Sequence, residues 1–166
     1  MASKRPAPKI TVSPRARRAA AKRRKLRAHV LAQVAEHLRA NGFEHPEELR
    51  TANGYQFDAD DFTVFAGVQA DGDELVYLVG TQVMTLPSDG DLVVPLMREL
   101  LEINARALGP ARAAIQDDSV WAVVVDFADL LPDADFGRAI DAVVGWANQL
   151  AKQLPRKYDR TTRKRR

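Results

Sequence analysis

Three histidines, His29, His37 and His45, recur every eight residues, and an imidazole array is the first place to look for metal or acid–base chemistry. Eight residues make about two helical turns, so His29 and His37 can share a face, yet about 12 Å of helix axis separates them. That spacing is too wide for one shared metal. The chain has no HExxH run and no cysteine, and no carboxylate stands one turn from two histidines, so a zinc ligand set is missing. The acidic run Asp58-Ala59-Asp60-Asp61 suggests a calcium loop. An EF-hand would need Gly at its sixth position and Glu at its twelfth; Thr63 and Gln69 stand there. The run reads as a turn between strands, Asp117-Asp118 as another, and Asp133 or Asp135 as a helix cap. None of the four serines, Ser3, Ser13, Ser88 and Ser119, lies in a GxSxG context, and no glycine-rich phosphate loop occurs. The expectation is a non-enzyme with no metal and no cofactor.

The other chemistry on offer is charge. Residues 14–27, PRARRAAAKRRKLR, hold eight lysines and arginines and no acid. The 25 Lys/Arg and 22 Asp/Glu of the chain are unevenly placed. Residues 1–28 hold 11 bases and no acid, and residues 151–166 hold 8 bases and Asp159, so residues 29–150 keep 6 bases and 21 acids. A formal charge of +3 thus conceals an acidic middle between two cationic ends. Three readings stand open. The ends bind a polyanion such as nucleic acid, through Arg15, Arg17, Arg18, Lys22, Arg23, Arg24 and Lys25 and through Arg163, Lys164, Arg165 and Arg166; the binding would be salt-sensitive and blind to sequence. Or they screen the acidic middle. Or they meet an acidic protein or an anionic membrane surface, although AAAKRRKLR has little apolar area for insertion. Tyr158 is the one aromatic residue in these ends, so base stacking is not provided.

At 166 residues and 46% hydrophobic, the chain has room for one folded domain with a real core. The division implied is a basic flexible arm at 1–25, a domain at 26–151 and a basic tail at 152–166. The ends have too few apolar residues to offset their ordering entropy and are expected to be ordered only by a partner. Lack of cysteine fits a reducing cytoplasm. No window approaches a membrane span, and Arg27, His29, Gln33 and Glu36 interrupt any signal-peptide core.

Hydrophobic periodicity supplies the elements. Leu26, Val30, Val34 and Leu38 predict a helix from about residue 17 to Asn41, stopped by Asn41-Gly42. Strands follow at GYQF, DFTVFAGVQ and ELVYLVGTQVMTL, joined by tight turns that require antiparallel pairing. A second helix is predicted over 91–108, capped by Asp91, with Leu96, Leu100 and Ile103 on one face and Pro95 near its first turn. The hairpin ARAAIQ–DDS–VWAVVVDF comes next, then a helix over roughly 136–153. The fold class is α+β: an antiparallel five-stranded sheet flanked by three helices, in the order α-βββ-α-ββ-α.

The stretch LMRELLEINARALGPARAAIQDDSVWAVVVDFADLLPDADFGRAIDAVVGWANQL, residues 96–150, resembles the YbjN family and the related type III secretion chaperone fold of bacteria, with the likeness strongest over 92–150. The pattern is a Leu-rich helix with Asn104, a short strand, an acidic turn, a hydrophobic strand, a Leu-Leu-Pro connection and a closing amphipathic helix. More weakly, the likeness extends back to residue 26, and the acidic middle fits it too; the basic ends depart from it. The resemblance implies a domain that binds protein segments without chemistry, often as a homodimer. The residues point the same way. VWAVVV is apolar on both faces, so the sheet face that the helices leave bare needs a second subunit or a client. The candidate interface is Leu96, Leu100, Ile103, Trp121, Val123 and Val125.

Overall fold

The structure is a computed structural model that describes residues 13–71, 74–128 and 135–158. The elements are α1 (Pro14–Ala40), a 3-10 turn (Pro46–Leu49), β1 (Gly54–Ala59), β2 (Phe62–Asp71), β3 (Glu74–Thr85), α2 (Gly90–Arg106), β4 (Arg112–Gln116), β5 (Ser119–Phe127) and α3 (Asp135–Tyr158). The five strands form one antiparallel sheet in the order β1-β2-β3-β5-β4. This is the α+β architecture that the sequence predicts.

Two hairpins explain the acidic pairs. Ala59 pairs with Phe62 and Gln116 with Ser119, which leaves two-residue loops, Asp60-Asp61 and Asp117-Asp118. The first residue of each has positive φ, 51° at Asp60 and 52° at Asp117. Such loops match the twist of the strands, and aspartate tolerates the left-handed region. These carboxylates are turn formers.

Burial alternates along the strands as a one-sided sheet requires. In β5, Val120, Ala122 and Val124 are buried, while Trp121 and Val123 are half-buried and Val125 and Phe127 exposed. Tyr55, Phe57, Val64, Ala66, Val68, Tyr77 and Val79 continue the buried face across β1–β3. Against it pack Val30, Val34 and Leu38 of α1 and Phe136, Val143, Ala147 and Leu150 of α3. Ring contacts mark this layer: Phe43 against Phe57 at 5.8 Å and Tyr77 against Phe136 at 5.9 Å. Thr81 is buried in this layer, 1% exposed, and donates to the Thr63 carbonyl at 2.8 Å. None of the described acidic residues is buried.

Three boundaries differ from the sequence reading. The first helix begins at Pro14 rather than near residue 17: Ser13 accepts from the Ala16 amide at 3.2 Å, and Pro14 occupies the first turn. Much of the segment read as a flexible arm to residue 25 is therefore helix, propagated from the buried Val30–Leu38 stretch through alanines and arginines that favour it. In α2 the cap is Asp89, not Asp91, and Pro95 lies inside the helix. The third difference is the largest. α3 does not end near residue 153 but runs through Pro155 to Tyr158, with Leu154 fully buried and Tyr158 9% exposed. Residues 152–158 belong to the domain, not to a tail. Asp133 lies outside the described residues, as do the turn residues Gly72 and Asp73.

Candidate functional site

The reason the helix survives its proline is a tie to α2. Tyr158 donates its hydroxyl to Glu99 Oε2 at 2.7 Å, and Lys157 pairs with Glu99 Oε1. Burial, then the hydrogen bond and charge of Glu99, push the Tyr158 phenol up to about 12. Burial also pushes the Glu99 carboxyl up, but hydrogen bonds from Lys157 and Tyr158 and the lysine charge outweigh it, and the net shift is downward. The signs set a pH window. The lowered Glu99 contributes stability above its ordinary value, lost as pH falls through the depressed one. The raised Tyr158 contributes below its ordinary value and stops doing so as pH rises towards about 12. Tyr158→Phe is expected to cost about 1–2 kcal/mol at neutral pH, since the lost bond has a charged acceptor. The deficit should shrink in acid as Glu99 protonates. Urea melts at several pH values measure it; a deficit independent of pH would remove the carboxylate from the explanation.

Asn104, in the last turns of α2, closes one sheet edge. Its amide donates to the Ala113 carbonyl and accepts from the Ala113 amide, both at 2.8 Å. In effect a side chain imitates a neighbouring strand, so this stretch of β4 is no open template for edge pairing. Replacing Asn104 by Leu is expected to leave two part-buried backbone groups unpaired and lower stability by about 2 kcal/mol. Thermal denaturation tests this, and an unchanged midpoint would show the edge to be solvated.

Asn104 holds α2 so that the helix offers two apolar stripes. Leu96 and Leu100 face inward at 0% and 4% exposure, and Ile103 is half-buried. Leu96 and Leu100, expected at an interface, are instead in the chain's own core. The opposite stripe, Val94, Met97 and Leu101, is exposed, Leu101 at 70%. Spacings of three and four residues between them make it a second helical face, legible in the sequence but missed because the first stripe had already been given the interface role. On the sheet, Val125 and Phe127 are 54% and 43% exposed. Trp121 and Val123 share that face, half-buried, and the Trp121 indole N–H is buried without an acceptor among the described residues. Trp146 lies half-buried on α3 against the core. The outward residues of α2 and the open sheet face are two apolar areas that the described residues leave exposed.

The histidines are dispersed. His37 packs its ring beside Gly137 and lies 3.2 Å from the Asn41 amide nitrogen, and His45 sits 3.7 Å from Glu47. Among the described residues no group of three or more His, Asp or Glu side chains is placed to hold a metal. A groove of about 390 Å³ runs between α1 and α3, lined by His37, Phe43, Phe57, Asp60, Val144 and Asn148. It joins apolar walls to a polar rim and contains no nucleophile with an adjacent base. Of the candidate cations, Arg15, Arg17, Arg18, Lys22, Arg24 and Lys25 are exposed on α1 and Arg23 is part-buried. Arg163, Lys164, Arg165 and Arg166 lie outside the described residues. No described helix is long and apolar enough to cross a membrane.

No family model matches the sequence, and no curated protein is similar to it. Solved structures do share the fold. A chain of the ExsC–ExsE complex superposes with a TM-score of 0.59 at 15% identity, covering 78% of this chain and 96% of that one. The Yersinia pestis type III secretion chaperone SycH, in complex with a stable fragment of YscM2, superposes with a TM-score of 0.51 at 14% identity, covering 73% and 98%. This α+β domain therefore has the fold of a secretion chaperone.

Proposed function

We propose that this chain is a non-catalytic protein-binding domain, an adaptor or chaperone for a protein partner, that acts as a homodimer in the bacterial cytoplasm. The observation that carries the proposal is the exposure of two apolar areas, Val94, Met97 and Leu101 on α2 and Val125 and Phe127 on β5. Scattered apolar side chains are normal on monomers, whereas an apolar stripe and an apolar sheet face on one chain mark an interaction surface. The two solved structures named above are complexes with a protein, ExsE in one case and a YscM2 fragment in the other, which supports the same reading. Kinship to the YbjN family in particular rests on the residue pattern over 92–150.

Two measurements on the full chain test the reading. Sedimentation at micromolar concentrations is expected to give a dimer. A photo-crosslinking amino acid at Phe127 is expected to yield a self-adduct or one dominant protein adduct in cells, where the same group at exposed Lys152 yields none. A monomer with no adduct from Phe127 would remove the proposal.

A further inference from the structure

The cations of α1 are sorted by the face on which they lie. Ala21 precedes Val30, a fully buried anchor of the helix, by about two and a half turns, so the two point in opposite directions. Around Ala21, at one turn before and one turn after, stand Arg17, Arg18, Arg24 and Lys25. All five residues are exposed. No side-chain hydrogen bond or ion pair among the described residues engages these four cations. Arg23 and Arg27, nearer the buried side, are only part-exposed, and Arg27 donates to the Ala52 carbonyl and to Asn53 Oδ1. A helix whose arginines served to screen the acidic domain would turn them towards it. Here the four-cornered cationic frame faces away.

We propose that this outer face of α1 binds B-form duplex DNA through its phosphates. The proposal does not rest on the protein-binding reading, which concerns α2 and β5. An α-helix with its side chains is about 10–12 Å across and a B-form major groove about 12 Å wide, so α1 fits lengthwise. Ala21 and Ala28, both small and exposed, form the ridge that approaches the groove. Arg17 and Arg24 form a column on one side of it, Arg18 and Lys25 a column on the other, each reaching one phosphate backbone. Within a column the spacing is seven residues, about 10 Å of rise, so its two cations reach different phosphates of the same strand. Residues 13–40 contain no Phe, Tyr or Trp, the platforms on which the bases of single strands chiefly stack. The A-form major groove of duplex RNA is too narrow and deep to admit the helix.

The test uses the full chain and a short labelled DNA duplex in fluorescence anisotropy. Affinity should fall with salt at a log–log slope of about −4, one counterion for each of the four phosphate contacts, and differ little between two duplex sequences. The informative variant is Ala21→Glu. A carboxylate at the centre of the frame pairs with cations at i±3 and i±4, so helicity should hold or rise, while DNA affinity drops at least about tenfold. Circular dichroism on the same sample separates this result from misfolding. Replacing Arg17, Arg18, Arg24 and Lys25 together by Gln should give a larger loss. Binding unaffected by Ala21→Glu would overturn the proposal, and so would no binding at low salt. Polyglutamate competing as well as DNA at equal charge would transfer the face to an acidic protein, and tighter binding of duplex RNA would exclude the groove geometry.

Discussion

A chain ended after Ala151 is expected to be largely unfolded at room temperature, although only the basic C-terminal segment would be missing. Leu154 is fully buried, and Tyr158 caps the same helical face one turn on. A buried Leu→Ala change costs about 2–5 kcal/mol, and the truncation also removes the Tyr158 ring and both partners of Glu99. Against a typical stability of about 5–15 kcal/mol, that sum takes most of what there is. Leu154→Ala in the full chain isolates the first component and should lower stability by about 2–5 kcal/mol. A chain ended after Tyr158 is the control and should melt as the full chain does. Urea denaturation followed by tryptophan fluorescence measures all three. If the Ala151 truncation unfolds at the same urea concentration as the full chain, the last turns of α3 contribute nothing to the core.

The second large effect is on assembly. Leu101→Asp with Phe127→Asp is expected to convert the proposed dimer to monomer, or to abolish partner capture, with the fold intact. Both side chains are exposed in the single chain, Leu101 at 70% and Phe127 at 43%, and exposed positions usually tolerate substitution within about 0.5 kcal/mol. At an interface the outcome is different, because a desolvated carboxylate without a partner costs several kcal/mol, and a central apolar contact contributes about 2 kcal/mol or more. Together the pair should weaken association at least about a hundredfold. Sedimentation equilibrium reads the dimer constant and a thermal melt reads the fold. Unchanged association would place any interface elsewhere; the inward pair Leu96 and Leu100 cannot serve, being enclosed by their own chain.

The element order was legible because each element announces itself locally. Val30, Val34 and Leu38 keep a helical period, VWAVVV keeps a strand's composition, and the Asp-Asp loops fix antiparallel hairpins through their length. Short turns between the strands left only antiparallel pairing, and the likeness to the secretion-chaperone fold rested on that order together with the residue pattern over 92–150. Local rules failed where distant contacts overruled them. The last helix read as ending near residue 153, yet Leu154 and Tyr158 are buried beyond it and Glu99 finds two partners from α3, 58 and 59 residues away in sequence. Residues 14–25 read as a flexible arm because nothing in them can be buried. The helix holds there because its nucleus is buried further along at Val30 and Val34, and propagation costs far less than nucleation.

The candidate surface divided in the same way. The sequence alone determined that α2 and β5 carry more apolar residues than one chain can bury, because composition and period are properties of the chain. Which stripe of α2 is buried was decided only when Asn104 docked the helix against the edge of β4, turning Leu96 and Leu100 inward and Val94, Met97 and Leu101 outward. Likewise the number of cations on α1 is sequence. Their direction is tertiary, because a helix has no outside until one of its faces has been buried.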